Sequence, residues 1–416
     1  MKVLVVGSGA REHAICWKIS ESPLLTDLFI APGNPGTAKL GKNIQIPVSE
    51  VAQLKQFVLE NKIDLTIVGP EDPLVRGIVD DFRAEGLRIF GPNKAAALLE
   101  GSKEFAKEIM GAAGVPTANY ATFYNKDDAL NYIRDKEAPL VVKADGLAAG
   151  KGVYVCMTKK EVEEAIPETF DRFCSKKVII EEFLQGVEAS YIVATDGKRI
   201  IPFPSSHDYK RINDNNEGLN TGGMGTVSPT PHLTKEQEDW TLNNIIRPVV
   251  DEMRKRGTPY TGFLYAGLMV TNNGIKVLEF NARLGDPETQ VLLRRIDGDL
   301  LNILNVLTLG DDSTIPSFGY SEKSAVCVVL SAEGYPQSVR KGDIISGVDE
   351  FDKDKNIVIF HAGTKRTDNG LETAGGRVLC VTATGDNIEK ARDSVYQAIQ
   401  KINFRGMHYR TDIALN

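Results

Sequence analysis

Residues 2–13 have the sequence KVLVVGSGAREH, in which an apolar, strand-like run leads into a glycine turn and the first residues of a helix. Further strand-like runs lie at 28–31, 64–69 and 87–90, and helical patterns lie at 12–20 and 50–60. Strands that alternate with helices form parallel βαβ units. This first part of the chain is therefore predicted to form a doubly wound, parallel α/β sheet.

The glycine turn resembles part of a dinucleotide-binding fingerprint but departs from it twice. Glu12 stands where the fingerprint needs a third glycine for close packing of the helix on the strand. The second strand ends in Ile30-Ala31-Pro32, without the acidic residue that would hold a ribose. A nicotinamide cofactor is thus disfavoured, whereas a phosphate group at the start of the helix fits. A tight turn without a ligand is the alternative from this segment alone.

The composition is that of a globular protein that does not bind nucleic-acid backbones. Of the 416 residues 42% are hydrophobic and 25% charged, and the formal net charge is −7, whereas phosphate-backbone binders normally carry a basic face. The five cysteines are scattered and form no CxxC pair, so we expect free thiols in a reducing compartment. The chain opens directly with a strand and has no apolar run of membrane-spanning length, which predicts a cytoplasmic enzyme.

A second glycine-rich loop, KADGLAAGKGV at residues 143–153, lies between strand-like runs at 139–144 and 153–157. It differs from a Walker loop in its glycine spacing, and Gly152 replaces the hydroxyl residue that would bind magnesium. A flexible loop with Lys143 and Lys151 can instead fold over a triphosphate, because backbone N–H groups and lysines both neutralise its charge. A solvated turn with two lysines is the alternative.

Two polar side chains on a later strand form the predicted metal site. Residues 275–283, IKVLEFNAR, follow the hairpin turn Asn272-Asn273-Gly274. Side chains alternate along a strand, so Glu279 and Asn281 project from one face about 7 Å apart. Their oxygens are hard ligands of the kind that Mg²⁺ prefers, with positions left for phosphate. An ion pair between Glu279 and Arg283 or a lysine is the alternative.

Two further segments are candidates for ligand contacts. Residues 180–188, IEEFLQGVE, run from a strand into a linker and suit adenosine, although an ordinary acidic strand end fits them equally well. The polar stretch 205–226 has no period and includes His207-Asp208-Tyr209-Lys210-Arg211, which predicts a substrate clamp or a disordered surface loop. The five histidines show no pair at metal-ligand spacing, so none is assigned to a metal.

The last part of the chain is predicted to be a third unit. Strand-like runs at 323–331, 356–361 and 376–384 precede a helix at 387–402. That helix carries apolar side chains at three- and four-residue spacing, namely Ile388, Ala391, Val395, Ala398, Ile399 and Ile402. The spacing is typical of an amphipathic helix that covers a sheet.

Taken in order, these motifs resemble the ATP-grasp superfamily and, within it, the phosphoribosylamine–glycine ligase family. The opening GSGAREHA at 7–14 is similar to the family's GxGGREHA, with Ala10 in place of a glycine. The other matching motifs are APGN at 31–34, VGPE at 68–71, the 143–153 loop, NTGGMG at 220–225, LEFNARLGDPE at 278–288, HAGT at 361–364 and GGRVL at 375–379.

The resemblance implies an enzyme of purine biosynthesis that uses ATP and Mg²⁺ (or Mn²⁺) to join glycine to 5-phosphoribosylamine through glycyl phosphate. It implies metal binding by Glu279 and Asn281. The nucleotide contacts that it implies are Lys103, Lys143, Gly150, Lys151, Gly152, Glu181, Glu182, Phe183, Leu184 and Glu188. The implied substrate contacts are Gly9, Arg11, Glu12, Asn220, Thr221, Gly222, Gly223 and Asp286, and the implied catalytic side chains are Lys151, Asp208, Lys210 and Arg283.

The sequence departs from the family pattern at three places. Tyr209 stands where the family often has histidine, so no acid–base role is assumed there. Residues 213–218 are less rich in Asp and Gly than usual. Gly267 stands where many ATP-grasp enzymes carry an additional carboxylate that binds metal. The ligands of any second metal would therefore be phosphate and water.

The expected architecture is an N-terminal, Rossmann-like substrate-binding domain at 1–100, an ATP-grasp domain at 101–318 with a mobile lid at about 115–188, and a C-terminal α/β domain at 319–416. Expected partners are the small-molecule substrates, with neither nucleic acid nor membrane, and transient contact with neighbouring purine-pathway enzymes is left open. There are two rival hypotheses. Another ATP-grasp ligase would use a different carboxylate donor. A non-catalytic nucleotide sensor would bind ATP without releasing ADP when glycine and the amine are supplied.

Overall fold

The N-terminal region forms the predicted parallel sheet. A computed structural model describes residues 1–147, 152–172 and 175–415. The strands of this region are β1 Lys2–Gly7, β2 Asp27–Pro32, β3 Lys42–Asn43, β4 Leu65–Val68 and β5 Ile89–Phe90, in the order β3-β2-β1-β4-β5. Its helices are α1 Ala10–Ile19, α2 Val51–Asn61, α3 Glu71–Arg76 and α4 Ile78–Arg83, with a 3₁₀ turn at Thr37–Lys39.

The central strand of this sheet explains the first glycine turn. Residues 3–6 of β1 are fully buried between parallel neighbours β2 and β4. The side chain of Glu12 folds back under the ends of β1 and β4, so a Cβ at Gly7 would lie 2.3 Å from its Cγ. A Cβ at Gly69 would lie 2.0 Å from its Oε1. The glycines are therefore required by the buried carboxylate that replaces the third glycine of a dinucleotide site.

A small antiparallel sheet follows two connecting helices, α5 Leu98–Gly101 and α6 Lys103–Ala112. Its strands are β6 Tyr120–Phe123, β7 Leu140–Ala144, β8 Val153–Cys156 and β9 Val178–Glu182, in the order β6-β9-β7-β8. Helices α7 Lys126–Tyr132, followed by a 3₁₀ turn at Ile133–Asp135, and α8 Lys159–Arg172 accompany it. Ile133, Val142, Ile166 and Ile180 belong to a separate apolar cluster, which gives this part of the predicted lid its own core.

The central region builds a second antiparallel sheet. The strands here are β10 Val187–Thr195, β11 Ile200–Pro202, β12 His207–Asp208, β13 Arg211–Asn213, β14 Glu217–Asn220, β15 Gly225–Ser228, β16 Gly262–Thr271 and β17 Gly274–Asn281. Four of them form the sheet β11-β10-β16-β17. Helices α9 Lys235–Thr241 and α10 Arg247–Lys255 are joined by a π-helical segment, Leu242–Ile246. The hairpin predicted at 272–274 is confirmed, because Thr271 pairs with Gly274.

The C-terminal region completes a third antiparallel sheet. Its elements are α11 Glu288–Arg295, β18 Ile296–Asp297, α12 Leu300–Leu307, β19 Gly319–Tyr320, β20 Ser324–Ser331, a 3₁₀ helix at Val348–Phe351, β21 Ile357–His361, β22 Thr364–Thr367, β23 Gly370–Thr373, β24 Arg377–Gly385 and α13 Ile388–Ile399. The sheet order is β12-β15-β20-β24-β21. The buried residues of α13, Ala391, Val395, Ala398 and Ile399, share one apolar cluster with β20 and β24.

The polar stretch at 205–226 differs from the aperiodic loop that the sequence predicts. Strands β12 and β15 join the C-terminal sheet, and β13 pairs with β14 as a short ribbon around a 3₁₀ turn at Asp214–Asn216. Thr226 and Ser228 are fully buried in β15, and the Ser228 hydroxyl donates to the Ser205 carbonyl oxygen over 2.8 Å. Buried Val227 lies between these two polar residues, and the Thr226 hydroxyl has no hydrogen-bond partner among the described residues. Polar and apolar residues are thus buried alike in this strand, so its sequence carries no apolar alternation. No helix among the described residues combines the length and the apolar character needed to cross a membrane.

Candidate active site

The two predicted metal ligands lie on β17. Glu279 pairs with Gly267 of β16, and Asn281 pairs with Tyr265, so both side chains leave the same face of the strand. A Cβ at Gly267 would lie 3.3 Å from Cγ of Glu279, so the side chain of Glu279 lies over this glycine. The Glu279 carboxylate makes no hydrogen bond or ion pair with any residue that the structure describes.

The surroundings of Asn281 orient its amide. With its nitrogen directed toward Glu100 Oε1 at 3.3 Å and the Phe280 carbonyl oxygen at 3.2 Å, both contacts are satisfied, and the amide oxygen is left available. Within the described ranges no group of three or more His, Cys, Asp or Glu side chains could hold a metal. Glu279 and Asn281 therefore offer two hard oxygen ligands, which suit a metal ion that also carries phosphate.

A buried cluster of charges lies beside this strand. Lys143 on β7 has its Nζ 2.9 Å from Glu181 Oε2, and it donates to the Leu278 carbonyl oxygen over 3.2 Å. Lys107 on α6 has its Nζ 3.2 Å from Glu181 Oε1. Burial lowers the pKa of Lys107 to about 8, although Glu181 opposes this shift. Glu181 thus holds two lysines, and it places the Lys143 cation next to the residue that precedes Glu279.

Lys103 stands at the start of α6, held by the second glycine-rich loop. The Asp145 carboxylate accepts hydrogen bonds from the Lys103 backbone N–H over 2.7 Å and from the Ser102 hydroxyl over 3.2 Å. Lys103 Nζ donates to the Gly146 carbonyl oxygen over 3.0 Å. Burial lowers the pKa of Lys103, and the nearby Glu279 opposes that shift. Asp145 is a positioning group that the sequence reasoning missed, although it lies inside the motif.

The rest of this loop is only partly described. The Ala144 N–H donates to the Gly152 carbonyl oxygen over 2.8 Å, which closes the base of the loop. Gly150 and Lys151, both predicted nucleotide contacts, lie outside the described residues.

The predicted adenosine segment follows directly after β9. Glu182 forms an ion pair with Lys276 at 2.7 Å, and Leu184 is buried whereas Phe183 is half-buried. Glu188 near the start of β10 forms an ion pair with Lys210. Burial opposes ionisation of Glu188, but Lys210, His207 and Lys143 together outweigh it and hold the pKa of Glu188 below its ordinary value. The structure therefore links Glu188 to the 207–210 segment, and the nucleotide contact that the family resemblance implies for Glu188 stays a prediction.

Arg283 lies in a cluster of carboxylates that joins the N-terminal sheet to β17. Its guanidinium is 3.2 Å from Glu71 and 3.1 Å from Glu100. Burial disfavours this cation, but Glu100 and Glu71 together raise the pKa of Arg283. Arg283 and Arg11 both donate to the Leu284 carbonyl oxygen over 3.2 Å. Glu100, which sequence reasoning missed, also accepts from the Ala282 N–H over 2.7 Å.

The carboxylate of Glu12 lies inside the first glycine turn. Glu12 accepts from the Gly9 N–H over 2.6 Å and from Arg11 Nε over 2.7 Å. This carboxylate therefore takes one of the donors at the start of α1 that a phosphate would use. A Cβ at Gly9 would lie 3.6 Å from Asp286 Oδ2, so the predicted substrate turn and Asp286 face each other.

Two carboxyl groups meet where β12 approaches α11. Asp208 Oδ1 is buried and has no hydrogen-bond partner among the described residues. Burial and the neighbouring Glu288 raise the pKa of Asp208 well above its ordinary value. Glu288 Oε1 accepts from the Ser190 hydroxyl over 3.0 Å, and that hydroxyl lies 2.9 Å from the Tyr265 hydroxyl oxygen. Lys210 and Arg377 lie close enough to favour ionisation of Asp208, but among the described residues neither forms an ion pair with it. A buried carboxyl oxygen without a bonded donor is suited to an ammonium group.

The Gly222-Gly223 turn is fixed by the C-terminal region. Tyr335 accepts a hydrogen bond from the Gly222 N–H over 3.0 Å, and Arg377 donates to the Gly222 carbonyl oxygen. Arg377 is also 3.2 Å from the Asp286 carboxylate. A Cβ at Gly223, whose φ is +108°, would lie 2.5 Å from Asp208 Oδ1, so only glycine fits there.

The neighbours of this turn hold the remaining predicted substrate residues. The Thr221 N–H and hydroxyl both donate to the Lys210 carbonyl oxygen over 2.8 Å, whereas Asn220 is exposed in β14. Arg377 lies within the GGRVL motif, but that motif carried no predicted role for it. The structure brings Asp208, Gly222, Gly223 and Asp286 together and leaves Asn220 at the edge.

The fold and the site together define the chain as an ATP-grasp protein. It has three larger sheets and a small antiparallel subdomain that carries Lys143, and strand β17 presents a carboxylate and an amide next to that lysine. The chain belongs to the phosphoribosylglycinamide synthetase family. It matches that family's N domain at residues 1–100, its ATP-grasp domain at 101–289 and its C domain at 325–416.

Curated relatives match the chain from end to end. It is 48% identical to the phosphoribosylamine–glycine ligase of Neisseria meningitidis serogroup B, over 100% of this chain and 99% of that protein. It is 47% identical to the enzyme of the same name from Haemophilus influenzae, over 99% of this chain and 97% of that protein.

Solved structures agree with this assignment. The phosphoribosylamine–glycine ligase of Thermotoga maritima superposes with a TM-score of 0.86 at 32% identity, covering 99% of this chain and 100% of that chain. The biotin carboxylase domain of Hydrogenobacter thermophilus 2-oxoglutarate carboxylase, in complex with MgADP and bicarbonate, shares the fold with a TM-score of 0.75 at 17% identity, over 98% and 91% of the two chains. The predicted family and fold class are confirmed, and the residue roles and domain limits stay predictions.

Proposed function

We propose that this chain joins glycine to 5-phosphoribosylamine at the expense of ATP, giving glycinamide ribonucleotide, ADP and phosphate in purine biosynthesis. Family membership over the whole chain supports the reaction. The structural observation that carries it is the 3.2 Å hydrogen bond from Lys143 Nζ to the carbonyl oxygen of Leu278, the residue before Glu279. A cation for phosphate and the two metal ligands thus meet at one place.

In the first step a carboxylate oxygen of glycine attacks the γ-phosphorus of ATP. A P–O bond forms, the bond to the bridging oxygen breaks, and ADP leaves with that electron pair. Glu279 and the amide oxygen of Asn281 would hold Mg²⁺, which would neutralise part of the phosphate charge. Lys143 and Lys103 stabilise the transferred phosphoryl group electrostatically, since they are fixed by Glu181 and by the loop around Asp145.

Glycine is held by the carboxyl pair near β12. The ammonium group of glycine lies against Asp208 and Glu288, where it donates the hydrogen bond that the buried Asp208 Oδ1 lacks among the described residues. Lys210, fixed by Glu188, faces the carboxylate and then the acyl phosphate. This arrangement favours a small amino acid, because Gly223 packs directly on Asp208.

In the second step the amine of phosphoribosylamine attacks the carbonyl carbon of glycyl phosphate. A C–N bond forms and the C–O bond to phosphate breaks, so inorganic phosphate leaves with the electron pair and one former carboxylate oxygen. The amine nitrogen releases one proton to solvent. The amine acceptor lies between the 7–13 turn and Asp286. Burial opposes ionisation of Asp286, but Arg377 and Arg11 lower its pKa, which leaves a carboxylate to orient the acceptor. Closure of the lid at 115–188 excludes water, which would otherwise hydrolyse the acyl phosphate.

The experiment that tests this function is ADP formation from ATP and Mg²⁺, with and without glycine and freshly generated phosphoribosylamine. The expected result is ADP release that needs both substrates, with glycinamide ribonucleotide as the product. Release with a different carboxylate donor would instead identify another ATP-grasp ligase. Nucleotide binding without ADP release under any combination of substrates would identify a sensor.

We further propose that Mn²⁺ can substitute for Mg²⁺ and that the protein is cytoplasmic. Its substrates are small molecules, and any contact with neighbouring pathway enzymes is transient.

A further inference from the structure

Glu100, in the short helix α5, directs both of its carboxylate oxygens at the strand end that carries the predicted metal ligands. Its side chain is 8% exposed, and its Oε1 lies 3.1 Å from Arg283 Nη2. The same Oε1 lies 3.3 Å from the amide nitrogen of Asn281. Its Oε2 accepts from the Ala282 N–H over 2.7 Å. One buried carboxylate therefore holds three consecutive residues, of which the first is a predicted metal ligand and the third a predicted catalytic arginine.

This set of neighbours requires an acceptor at both oxygens. The Ala282 N–H, the Asn281 NH₂ group and the Arg283 guanidinium are all donors, and an ionised carboxylate offers only acceptors. Burial raises the pKa of Glu100, and Glu71 adds to the rise, whereas Arg283 and the Ala282 N–H oppose it. A side chain with one acceptor and one donor, such as glutamine, cannot satisfy all three neighbours at once.

The orientation of the Asn281 amide decides what this side chain offers to a metal. The amide oxygen is a hard ligand of the kind that Mg²⁺ prefers, whereas the NH₂ group is a donor and does not bind the ion. Besides Glu100, the nitrogen reaches the Phe280 carbonyl oxygen over 3.2 Å, which is a backbone contact within the same strand. Among the described residues, Glu100 is thus the one side chain that bonds to this amide and fixes which end faces the metal.

We propose that Glu100 is a positioning residue of the metal site, which holds Asn281 with its oxygen toward the ion and holds Arg283 beside it. Asparagine rather than aspartate suits position 281, because Glu100 needs a donor there. The inference rests on the metal site that the proposed function assigns to Glu279 and Asn281. Residue 100 is the last that matches the family's N domain, and residue 281 lies within the ATP-grasp match. The contact therefore joins the N-terminal region to the metal strand.

The test is a double-mutant cycle on the full chain, with Glu100→Gln, Asn281→Asp and the two changes combined. The dissociation constant of a non-hydrolysable ATP analogue is measured by calorimetry, with and without Mg²⁺, at about pH 8, well above the ordinary pKa of a carboxyl group. The ratio of the two constants is the contribution of the metal to nucleotide binding. Urea unfolding shows that each chain is folded.

The expected result follows from the single oxygen of glutamine. The Ala282 N–H is fixed by the backbone, so that oxygen stays on it and the glutamine NH₂ group faces position 281. The Asn281 amide then turns its own NH₂ group toward the metal, and the metal contribution falls about tenfold or more. In the Asn281→Asp background the same Glu100→Gln change should cost nothing, because the glutamine NH₂ group donates to the carboxylate.

Glu71→Gln is the matched control, since it removes the other carboxylate beside Arg283 and does not contact Asn281. Its metal contribution is expected to stay unchanged. An equal loss from Glu100→Gln in both backgrounds, or no loss in either, would overturn this inference and leave the metal site standing. A Glu279→Gln chain that keeps the full metal contribution would overturn the metal site and this inference with it.

A crystal structure of the unaltered chain with Mg²⁺ and the analogue is a check that needs no variant. The expected arrangement has the Asn281 oxygen on the metal and its nitrogen within hydrogen-bond distance of Glu100. A separation of more than about 4 Å between that nitrogen and the Glu100 carboxylate would overturn the inference.

Discussion

Lys143 Nζ lies 2.9 Å from the carboxylate of Glu181, and both side chains are buried, at 7% and 3% exposure. The same carboxylate is 3.2 Å from Lys107. Such a pair is costly to break, because removing one partner leaves uncompensated charge in a medium of low polarity. The segment predicted to contact adenosine is therefore also the segment that fixes the phosphate-binding lysine.

Replacing Glu181 with glutamine is expected to lower the free energy of unfolding by about 3 kcal/mol, since two buried lysines lose their counter-charge. The dissociation constant for ATP is expected to rise about tenfold, because Lys143 is no longer held toward β17. Urea unfolding and calorimetric titration measure the two effects. The adjacent Glu182→Gln is the stability control. Its ion pair with Lys276 is about one-third exposed (34% and 31%), so it should cost no more than about 1 kcal/mol. Equal losses in the two variants would contradict this account.

Replacing Glu279 with glutamine is expected to raise the Mg²⁺ concentration for half-maximal turnover by at least about tenfold. The carboxylate makes no hydrogen bond or ion pair within the described residues, so the unfolding midpoint should not fall. Metal titrations of turnover, with urea unfolding alongside, check both statements. Normal Mg²⁺ dependence in this variant would remove Glu279 from the metal site.

The Asp208 carboxyl group is expected to lower the free energy of unfolding near neutral pH, although it binds the substrate glycine. Its pKa is raised by burial and by Glu288, so the folded chain holds the proton more tightly than the unfolded chain. Stability from this group is therefore complete below the unfolded pKa of about 4 and falls as the pH rises toward the folded pKa. Asp208→Asn should be about 1 kcal/mol more stable than the unaltered chain near pH 7 and no more stable near pH 3.

The same variant should lose the ability to hold the glycine ammonium. The Michaelis constant for glycine is expected to rise strongly, while the dissociation constant for ATP stays unchanged. Steady-state kinetics with varied glycine measure the first effect. An unchanged Michaelis constant would show that Asp208 does not bind glycine.

A histidine pair between the N- and C-terminal regions should make the protein sensitive to acid. The backbone N–H of His361 donates to His13 Nδ1 over 2.9 Å. Burial together with Lys39 lowers the pKa of the His361 ring to about 4. The unfolded chain takes up this proton near pH 6.5, so stability present above that value is lost as the pH falls toward 4. The expected loss is about 2 kcal/mol at pH 5.

Urea unfolding at about pH 7 and pH 5 measures this loss. The variant His361→Asn should show a smaller loss between the two pH values, whatever its stability at neutral pH. An identical loss in the variant and the unaltered chain would assign the acid sensitivity to other groups.

The N-terminal sheet was predictable because parallel strands are buried on both faces. Residues 3–6 are a continuous apolar run, residues 65–68 are apolar except for the buried Thr66, and helical patterns and glycines separate the two. The metal strand was predictable for a related reason, since the alternation of side chains places Glu279 and Asn281 on one face.

The polar strands at 207–228 were not predictable from local sequence. Strand β15 is paired with β20, about a hundred positions later, and its buried Thr226 and Ser228 are not apolar. Glu100 likewise meets Ala282 across 182 positions, and no local pattern marks either contact. Arg377 was visible as part of a motif, but its contact with Gly222 and Asp286 exists only in the folded chain.

The most direct test of the central claim follows the oxygen atoms of glycine. Glycine labelled with oxygen-18 in its carboxylate is supplied with ATP, Mg²⁺ and phosphoribosylamine, and the inorganic phosphate is analysed by mass spectrometry. An acyl-phosphate route predicts one labelled oxygen in each phosphate released, with the other retained in the amide of the product. Unlabelled phosphate, formed at the same rate as the product, would contradict activation of the carboxylate by phosphoryl transfer.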